Sequence, residues 1–385
     1  MWQKIALLGA TGSIGIQTLD VLKRSRMLDN IVLLSANTNV KSLVEISRDC
    51  PNSSLCVTGI DSRRFFKEQT NKDIYFGFEG LKEALERLKP DLTIVAVSGA
   101  AGFKITLESI KNTKNRVCLA TKEALVIGGK FVKREVKKSG IELLPIDSEH
   151  SALFQLLLNE SNDSVKRIIL TASGGSLRDC PLEKLSEVSV EDVLRHPVWN
   201  MGKRITVDSS TMVNKAFEII EAHHLFDLEV EKISALIHRE GLIHSMVEFV
   251  DGSIKLHAGY PDMRIPISYS IFFPDRMEFD AGLHVDVKIL SNLSFDIPTL
   301  DRYPAFFMVY DLFKMPSSSW VVYNAADEVA VQKFLEGRIR FIDIHRLIDK
   351  TVEKFDHFEP QNPEEILIID QQARNIAEEE VKKWE

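Results

Sequence analysis

Ile5-Ala6-Leu7-Leu8-Gly9-Ala10-Thr11-Gly12-Ser13-Ile14-Gly15 decides how the first part of the chain folds. The apolar run reads as a short buried strand, the glycines as a tight turn, and Thr18-Leu19-Asp20-Val21-Leu22 as part of the helix that follows. The glycine spacing, G-x-x-G-x-x-G, is a variant of the dinucleotide-binding turn. Glycines let the backbone close on a pyrophosphate, and the N–H groups of a helix N-terminus then face it. A bare glycine pattern carries little weight, and the strand-turn-helix context supplies the rest. Thr11, Gly12, Ser13 and Ile14 are therefore candidate cofactor contacts.

Outward from this turn, Ile31-Val32-Leu33-Leu34 reads as a second strand running into Ser35-Ala36-Asn37-Thr38-Asn39. A strand that serves NAD ends on an acidic residue gripping the ribose hydroxyls. None stands here, so the stretch favours NADP. Ala36, Asn37 and Thr38 are placed at the cofactor, with Ser35, Asn37 and Thr38 as hydrogen-bond donors and Lys41 nearby. Further strands are expected at 55–57, 74–76, 92–97 and 117–119, with helical patterns such as Gly80 to Leu88 between them. Such alternation gives a mostly parallel sheet. Small residues after the fifth of these six strands in chain order, Ser98-Gly99-Ala100-Ala101-Gly102, leave room for a ligand. Near the same edge Thr121, Lys122 and Glu123 lead into a helix, where the two charges serve either the site or the helix surface.

The chain has 385 residues, 44% hydrophobic and 27% charged, which suggests a globular protein of two or three domains. A net charge of −8 argues against duplex nucleic acid as a partner, while a small anionic substrate needs only local positive charge. Cys50, Cys56, Cys118 and Cys180 show no C-x-x-C pairing, so reduced thiols are expected. No run reaches the roughly 18 to 20 apolar residues of a membrane span. The first apolar run meets Gly9 too early for a signal-peptide core. The expected location is the cytoplasm.

Ile141-Glu142-Leu143-Leu144-Pro145-Ile146-Asp147-Ser148-Glu149-His150 closes the nucleotide-binding half. Read as a strand end, it puts Asp147 and Glu149 on one side, and two crowded carboxylates call for a hard divalent ion between them. Read as a helix start, Asp147 or Ser148 caps and Glu149 lies in the first turn. Beyond it, Ser173-Gly174-Gly175-Ser176 forms a hydroxyl-and-amide turn suited to an oxyanion. The polar stretch around Arg195-His196-Pro197-Val198-Trp199-Asn200-Met201-Gly202-Lys203-Arg204 reads as a lid, with a buried connector as the alternative. A helix is expected from Val207 through Glu218. Asn214, Lys215 and Glu218 share one of its turns, serving an anion and a cation or forming a surface pair.

These segments, in this order, resemble the 1-deoxy-D-xylulose 5-phosphate reductoisomerases. The similarity extends to Ile243-His244-Ser245-Met246-Val247, Pro261-Asp262-Met263-Arg264 and Asn324-Ala325-Ala326-Asp327-Glu328, and so covers nearly the whole chain. The H-P-x-W-x-M-G and N-K-x-x-E motifs are specific to that family. The resemblance implies an NADPH-dependent oxidoreductase of the non-mevalonate isoprenoid pathway. It would convert 1-deoxy-D-xylulose 5-phosphate to 2-C-methyl-D-erythritol 4-phosphate with a divalent ion (Mg²⁺, Mn²⁺ or Co²⁺). By the same resemblance Asp147, Glu149 and Glu218 hold the metal, and with Lys122 form the catalytic group. Ser173, Ser209, Asn214 and Lys215 hold the substrate phosphate beside His196. Ser148 meets substrate oxygens, Trp199 covers the substrate and His244 supports the site. Met201 and Gly202 lie near the nicotinamide, and Thr121, Lys122 and Glu123 line the cofactor side. The family usually carries Asn where Thr121 stands, and a Gly-Lys/Arg-Asn group where Ala36-Asn37-Thr38-Asn39 stands.

The expected fold is α/β in three parts. Residues 1–147 form a Rossmann-like NADPH-binding domain. Residues 148–278 form an α+β catalytic, metal-binding and dimerisation domain, with an open sheet exposed on one face and the lid near 173–204. After a linker over 279–303, residues 304–385 form a helical C-terminal domain. The family's use of the central sheet makes a homodimer the expected assembly. Two rivals stand beside this reading: a semialdehyde dehydrogenase working through a thiolate of Cys118 or Cys180, and a nucleotide sensor without catalysis.

Overall fold

The computed structural model describes residues 2–59, 69–195, 202–278, 285 and 287–384. His196, Trp199 and Met201 therefore lie outside the described residues. The chain divides into two compact units that are interleaved in sequence. One comprises Met1–Ala124, Lys130–Ser151 and Asp262–Asp280, and the other Leu125–Gly129, Ala152–Pro261 and Ala281–Glu385. Asp262–Asp280 join the first unit through contacts with partners more than a hundred residues away.

The first unit is built on a seven-stranded parallel sheet. Its strands are β1 (Ile5–Leu8), β2 (Ile31–Ala36), β3 (Ser54–Val57), β4 (Ile74–Phe76), β5 (Leu92–Val95), β6 (Arg116–Leu119) and β7 (Glu142–Pro145), in the order β4-β3-β2-β1-β5-β6-β7. Most read as continuous apolar runs because both sheet faces are covered. Helices α1 (Ser13–Arg24), α2 (Val40–Arg48), α3 (Gly77–Leu88), α4 (Ala101–Asn112) and α5 (Lys122–Ser139) connect successive strands. Strand order reverses between β1 and β5, and a ligand crevice opens at the carboxyl ends of the strands at such a switch point.

Helix α10 (Arg264–Phe272) packs against α1 in this unit. Arg264 bridges Asp262 (2.7 Å) and Asp20 (3.0 Å). Arg116 donates to the carbonyls of Ser270, Ile271 and Phe273 at 2.9 to 3.1 Å while pairing with Glu142 at 2.6 Å.

The second unit holds a mixed sheet in the order β11-β10-β8-β9-β12. Its strands are β8 (Val165–Ala172), β9 (Ile233–His238), β10 (Ile243–Phe249), β11 (Ile254–Ala258) and β12 (Phe295–Asp296). The expected sheet with one exposed face is corrected here. β10 is buried along its whole length, and exposure gathers on the edge strand β11, where Ile254 and Leu256 are 55% and 50% exposed.

Helix α6 (Ser148–Leu156) follows β7, and the short α7 (Val190–Val193) lies between β8 and the next long helices. The single helix expected from Val207 to Glu218 is two, α8 (Lys203–Thr211) and α9 (Val213–Phe226). Met212 breaks them with a left-handed φ of +58°, a conformation that a methionine does not advertise. The expected helical C-terminal region consists of α11 (Pro304–Leu312), α12 (Ser318–Leu335), α13 (Phe341–Lys354) and α14 (Pro363–Lys382). The α/β class with a helical C-terminal region is the observed one.

Candidate active site

In the first unit the glycine turn is shaped for close approach. Gly9 has φ +88°, and a Cβ there would meet the Ala96 carbonyl oxygen at 2.2 Å. A Cβ on Gly15 would lie 2.3 Å from the Gly9 oxygen, which lets α1 begin directly against the turn. Gly12 takes the N-cap position of α1 with no side-chain cap, so the backbone at Thr11, Gly12, Ser13 and Ile14 meets an anion with no capping side chain in competition. Ser35 accepts from the Gly9 N–H at 3.1 Å and is 2% exposed, so it shapes the turn. Asn37 and Thr38 are exposed after β2, whereas Ala36 is buried.

Thr121 and Glu123 bear on the loop after β5. The Thr121 hydroxyl donates to the Val97 carbonyl (2.6 Å) and accepts from the Val97 N–H (3.1 Å). Glu123 accepts from the Gly99 N–H at 3.0 Å. Both side chains are buried and tie α5 to this loop.

The two readings of the segment from Ile141 to His150 are separated here. Strand β7 ends at Pro145, and α6 begins at Ser148. Ser151 N–H donates to the Asp147 carbonyl (2.8 Å), and Ser148 N–H to Asp147 Oδ1 (2.9 Å). Asp147 therefore caps the helix and Glu149 lies in its first turn, correcting the extended geometry under which both carboxylates shared a strand side. The helix dipole offsets part of their repulsion. Lys122 Nζ lies 2.7 Å from Asp147 Oδ2, and the Ser148 hydroxyl bonds Glu149 Oε2.

In the second unit Ser173 and Ser209 meet hydroxyl to hydroxyl at 3.1 Å. The Gly175 N–H donates to Ser173 Oγ at 3.2 Å, and Gly174 and Gly175 both adopt left-handed φ, +75° and +72°. A Cβ at Gly175 would lie 2.3 Å from Ser210 Cα, so the turn packs directly on α8. Asn214 Nδ2 donates to Glu218 Oε1 at 2.6 Å, and Lys215 Nζ pairs with Glu218 Oε2. Lys215 and Glu218 are 3% and 1% exposed, which overturns the surface-pair alternative. Burying an ion pair costs desolvation that attraction rarely recovers in full, so this pair is a poor staple for stability. Gly202 begins α8 as its N-cap, and His244 lies on β10, 8% exposed, with its ring 6.0 Å from that of His257.

The thiolate alternative loses one of its two candidates. Cys118 is fully buried on β6, its Sγ donates to the Ser270 carbonyl, and burial pushes the thiol up to about 12. Sequence reasoning missed the side chains that hold the phosphate-type turn from behind: Arg178, Arg302 and Tyr303. Arg302 and Tyr303 fell in a stretch read as linker, and no local pattern ties them to a turn more than 120 residues away.

Three family models match the chain. Residues 5–129 match 1-deoxy-D-xylulose 5-phosphate reductoisomerase, residues 143–226 its C-terminal domain, and residues 258–376 the DXP reductoisomerase C-terminal domain. Curated reductoisomerases of that name are similar along their length. That of Thermotoga neapolitana is 47% identical over 381 residues, 99% of this chain and 97% of that protein. That of Chlorobium chlorochromatii is 40% identical over 377 residues, 97% of this chain and 98% of the other. Among solved structures, the Zymomonas mobilis enzyme in complex with NADPH superposes with a TM-score of 0.90 at 37% identity, covering 99% of both chains. A DOX-P reductoisomerase in complex with NADPH, fosmidomycin and magnesium gives 0.90 at 33% identity, covering 99% of this chain and 98% of that one.

Proposed function

The chain belongs to the 1-deoxy-D-xylulose 5-phosphate reductoisomerase family, and from that premise we infer how its own residues divide the work. It is an NADPH- and divalent-metal-dependent oxidoreductase that converts 1-deoxy-D-xylulose 5-phosphate into 2-C-methyl-D-erythritol 4-phosphate in the non-mevalonate isoprenoid route. When bound, NADPH supplies a hydride and the divalent ion supplies Lewis-acid polarisation of substrate oxygens.

We propose that Asp147, Glu149 and Glu218 hold the metal. The donor chemistry supports this: each offers a carboxylate oxygen, the ligand type that Mg²⁺ and Mn²⁺ favour. Lys122 beside Asp147, and Lys215 beside Glu218, balance that negative charge. Ser173, Ser209, Asn214 and Lys215 anchor the phosphate, a reading supported by the hydroxyl pair and by the buried lysine. Such an anchor lends remote binding energy to the reacting end. Ser148 orients substrate oxygens, and His196 and Trp199, with Met201 and Gly202, complete the substrate and nicotinamide contacts. His244 supports the site.

On the cofactor side, Thr11 to Ile14 receive the pyrophosphate, and Asn37 and Thr38, beside Ala36, face the 2′-phosphate. Thr121 and Glu123 position the loop from Val97 to Gly99. The polar but uncharged grip at Asn37 and Thr38 bears on NADPH preference.

We further propose a cytoplasmic homodimer in which a second copy covers β11. The exposed Val250, Ile254 and Leu256 support this, since an edge strand with apolar side chains invites pairing. No helix of the described residues is long and apolar enough to cross a membrane. The carrying observation is the family match along the whole chain. NADPH oxidation with 1-deoxy-D-xylulose 5-phosphate, with Mg²⁺ or Mn²⁺ and again after chelation, tests the reading. Turnover that vanishes with the metal is the expected result, and NADH in parallel reads the cofactor preference.

A further inference from the structure

Tyr303 is one of the largest fully buried side chains, at 2% exposure, and the reaction assigns it nothing. Its hydroxyl donates to the Gly174 carbonyl at 3.0 Å across 129 residues of sequence. Arg302 beside it donates Nη1 to the Leu177 carbonyl (2.9 Å) and Nη2 to the Cys180 carbonyl (2.8 Å). Arg178 donates Nη1 to the Ser173 carbonyl at 2.9 Å. The carbonyls of Ser173, Gly174, Leu177 and Cys180 are thus all taken by side-chain donors.

In a planar trans peptide the C=O and the following N–H point in opposite directions. Fixing the Ser173 and Gly174 carbonyls therefore turns the N–H groups of Gly174 and Gly175 the other way. The Gly175 N–H indeed donates to Ser173 Oγ, which lies 3.1 Å from Ser209 Oγ. Two consecutive glycines at positive φ have many alternatives open to them, so an external strap is what selects this arrangement. Burial pushes the Tyr303 phenol up to about 12, which keeps it a protonated donor at neutral pH.

We propose that Tyr303, seconded by Arg302, is a positioning residue for the substrate phosphate, holding the Gly174-Gly175 turn with its N–H groups on the side of Ser173 and Ser209. The inference rests on the assignment of Ser173 and Ser209 to that phosphate.

Tyr303→Phe removes one hydroxyl and keeps the packing, and Arg302→Gln tests the same strap should the first variant fail to fold. Both are assayed as full-length enzyme with NADPH and Mg²⁺, reading KM for each substrate, kcat, melting temperature and inhibition by inorganic phosphate. Loss of one such hydrogen bond is expected to raise KM for the sugar phosphate and the phosphate inhibition constant together, about three- to tenfold. KM for NADPH should stay put. A lower melting temperature with both phosphate readouts unchanged would leave Tyr303 a structural residue and overturn the proposal. Ser209→Ala run alongside separates the two layers. If it leaves phosphate inhibition unaltered, the phosphate assignment itself fails and the inference with it. If it weakens phosphate while Tyr303→Phe and Arg302→Gln do not, the positioning role alone fails.

Discussion

Glu218 is a carboxylate with 1% exposure, held by Asn214 and Lys215. Glutamine keeps its shape and removes its charge. Glu218→Gln should therefore lower turnover by about a hundredfold or more for a lost charge at the proposed metal site, while NADPH binding measured by fluorescence stays near the parent value. Turnover within a few-fold of the parent would take Glu218 out of the site. Lys215→Ala removes the buried ammonium proposed for the phosphate. It should raise KM for the sugar phosphate far more than KM for NADPH, and equal changes would sink that role. Such residues were only half legible in the chain. The N-K-x-x-E spacing put Asn214, Lys215 and Glu218 on one helical turn, but it fitted a solvated surface pair equally well. Burial decides between the two, and burial is set by residues far away in sequence.

At the scale of elements, the strands of the first sheet could be read because a strand covered on both faces is a plain apolar run. The turn after β1 was legible for the same kind of reason, since Gly9 and Gly15 stand where any Cβ would collide with backbone. Gly15→Ala should weaken NADPH binding at least tenfold while changing KM for the sugar phosphate little, as read by cofactor titration. The break between α8 and α9 was not legible: Met212 pays the left-handed strain with no glycine or asparagine to signal it. Nor was the attachment of α10, which depends on Arg264 reaching Asp20 across 244 residues. Burial works to raise the Asp262 carboxyl, but hydrogen bonds from Arg264 outweigh it and hold it below its ordinary 3.8. Its folded pKa is depressed, so its contribution is present above 3.8 and is lost as pH falls through the lower folded value. Removing the charged partner of Arg264 in Asp262→Asn should cost about 2 kcal/mol at pH 7 through the lost charged hydrogen bonds. The difference from the parent in urea midpoint should shrink as the pH drops below 3.8. A gap that stays constant into acid would mean that the charge of Asp262 is not what anchors α10.

For the whole molecule, the edge strand β11 carries a prediction about assembly. Leu256→Asp places a charge on a half-exposed apolar position and should convert a dimer into a monomer in sedimentation velocity. An unchanged sedimentation coefficient would move the interface elsewhere. The domain order could be read as a linear series, yet the chain returns to its first unit after more than a hundred residues, a non-local closure that no window of sequence reports. That return sets a timetable for synthesis. When Ser151 leaves the ribosome, the parallel sheet has all its strands but lacks α10, and Arg116 still lacks the carbonyls of Ser270, Ile271 and Phe273. At translation speeds of about 5–20 residues per second, the wait for those acceptors is on the order of ten seconds. During it the nascent chain exposes the apolar side of α1 and Trp2, which α10 later covers. The first unit is therefore begun first and finished late, and this surface is open to a nascent-chain binder in the interval.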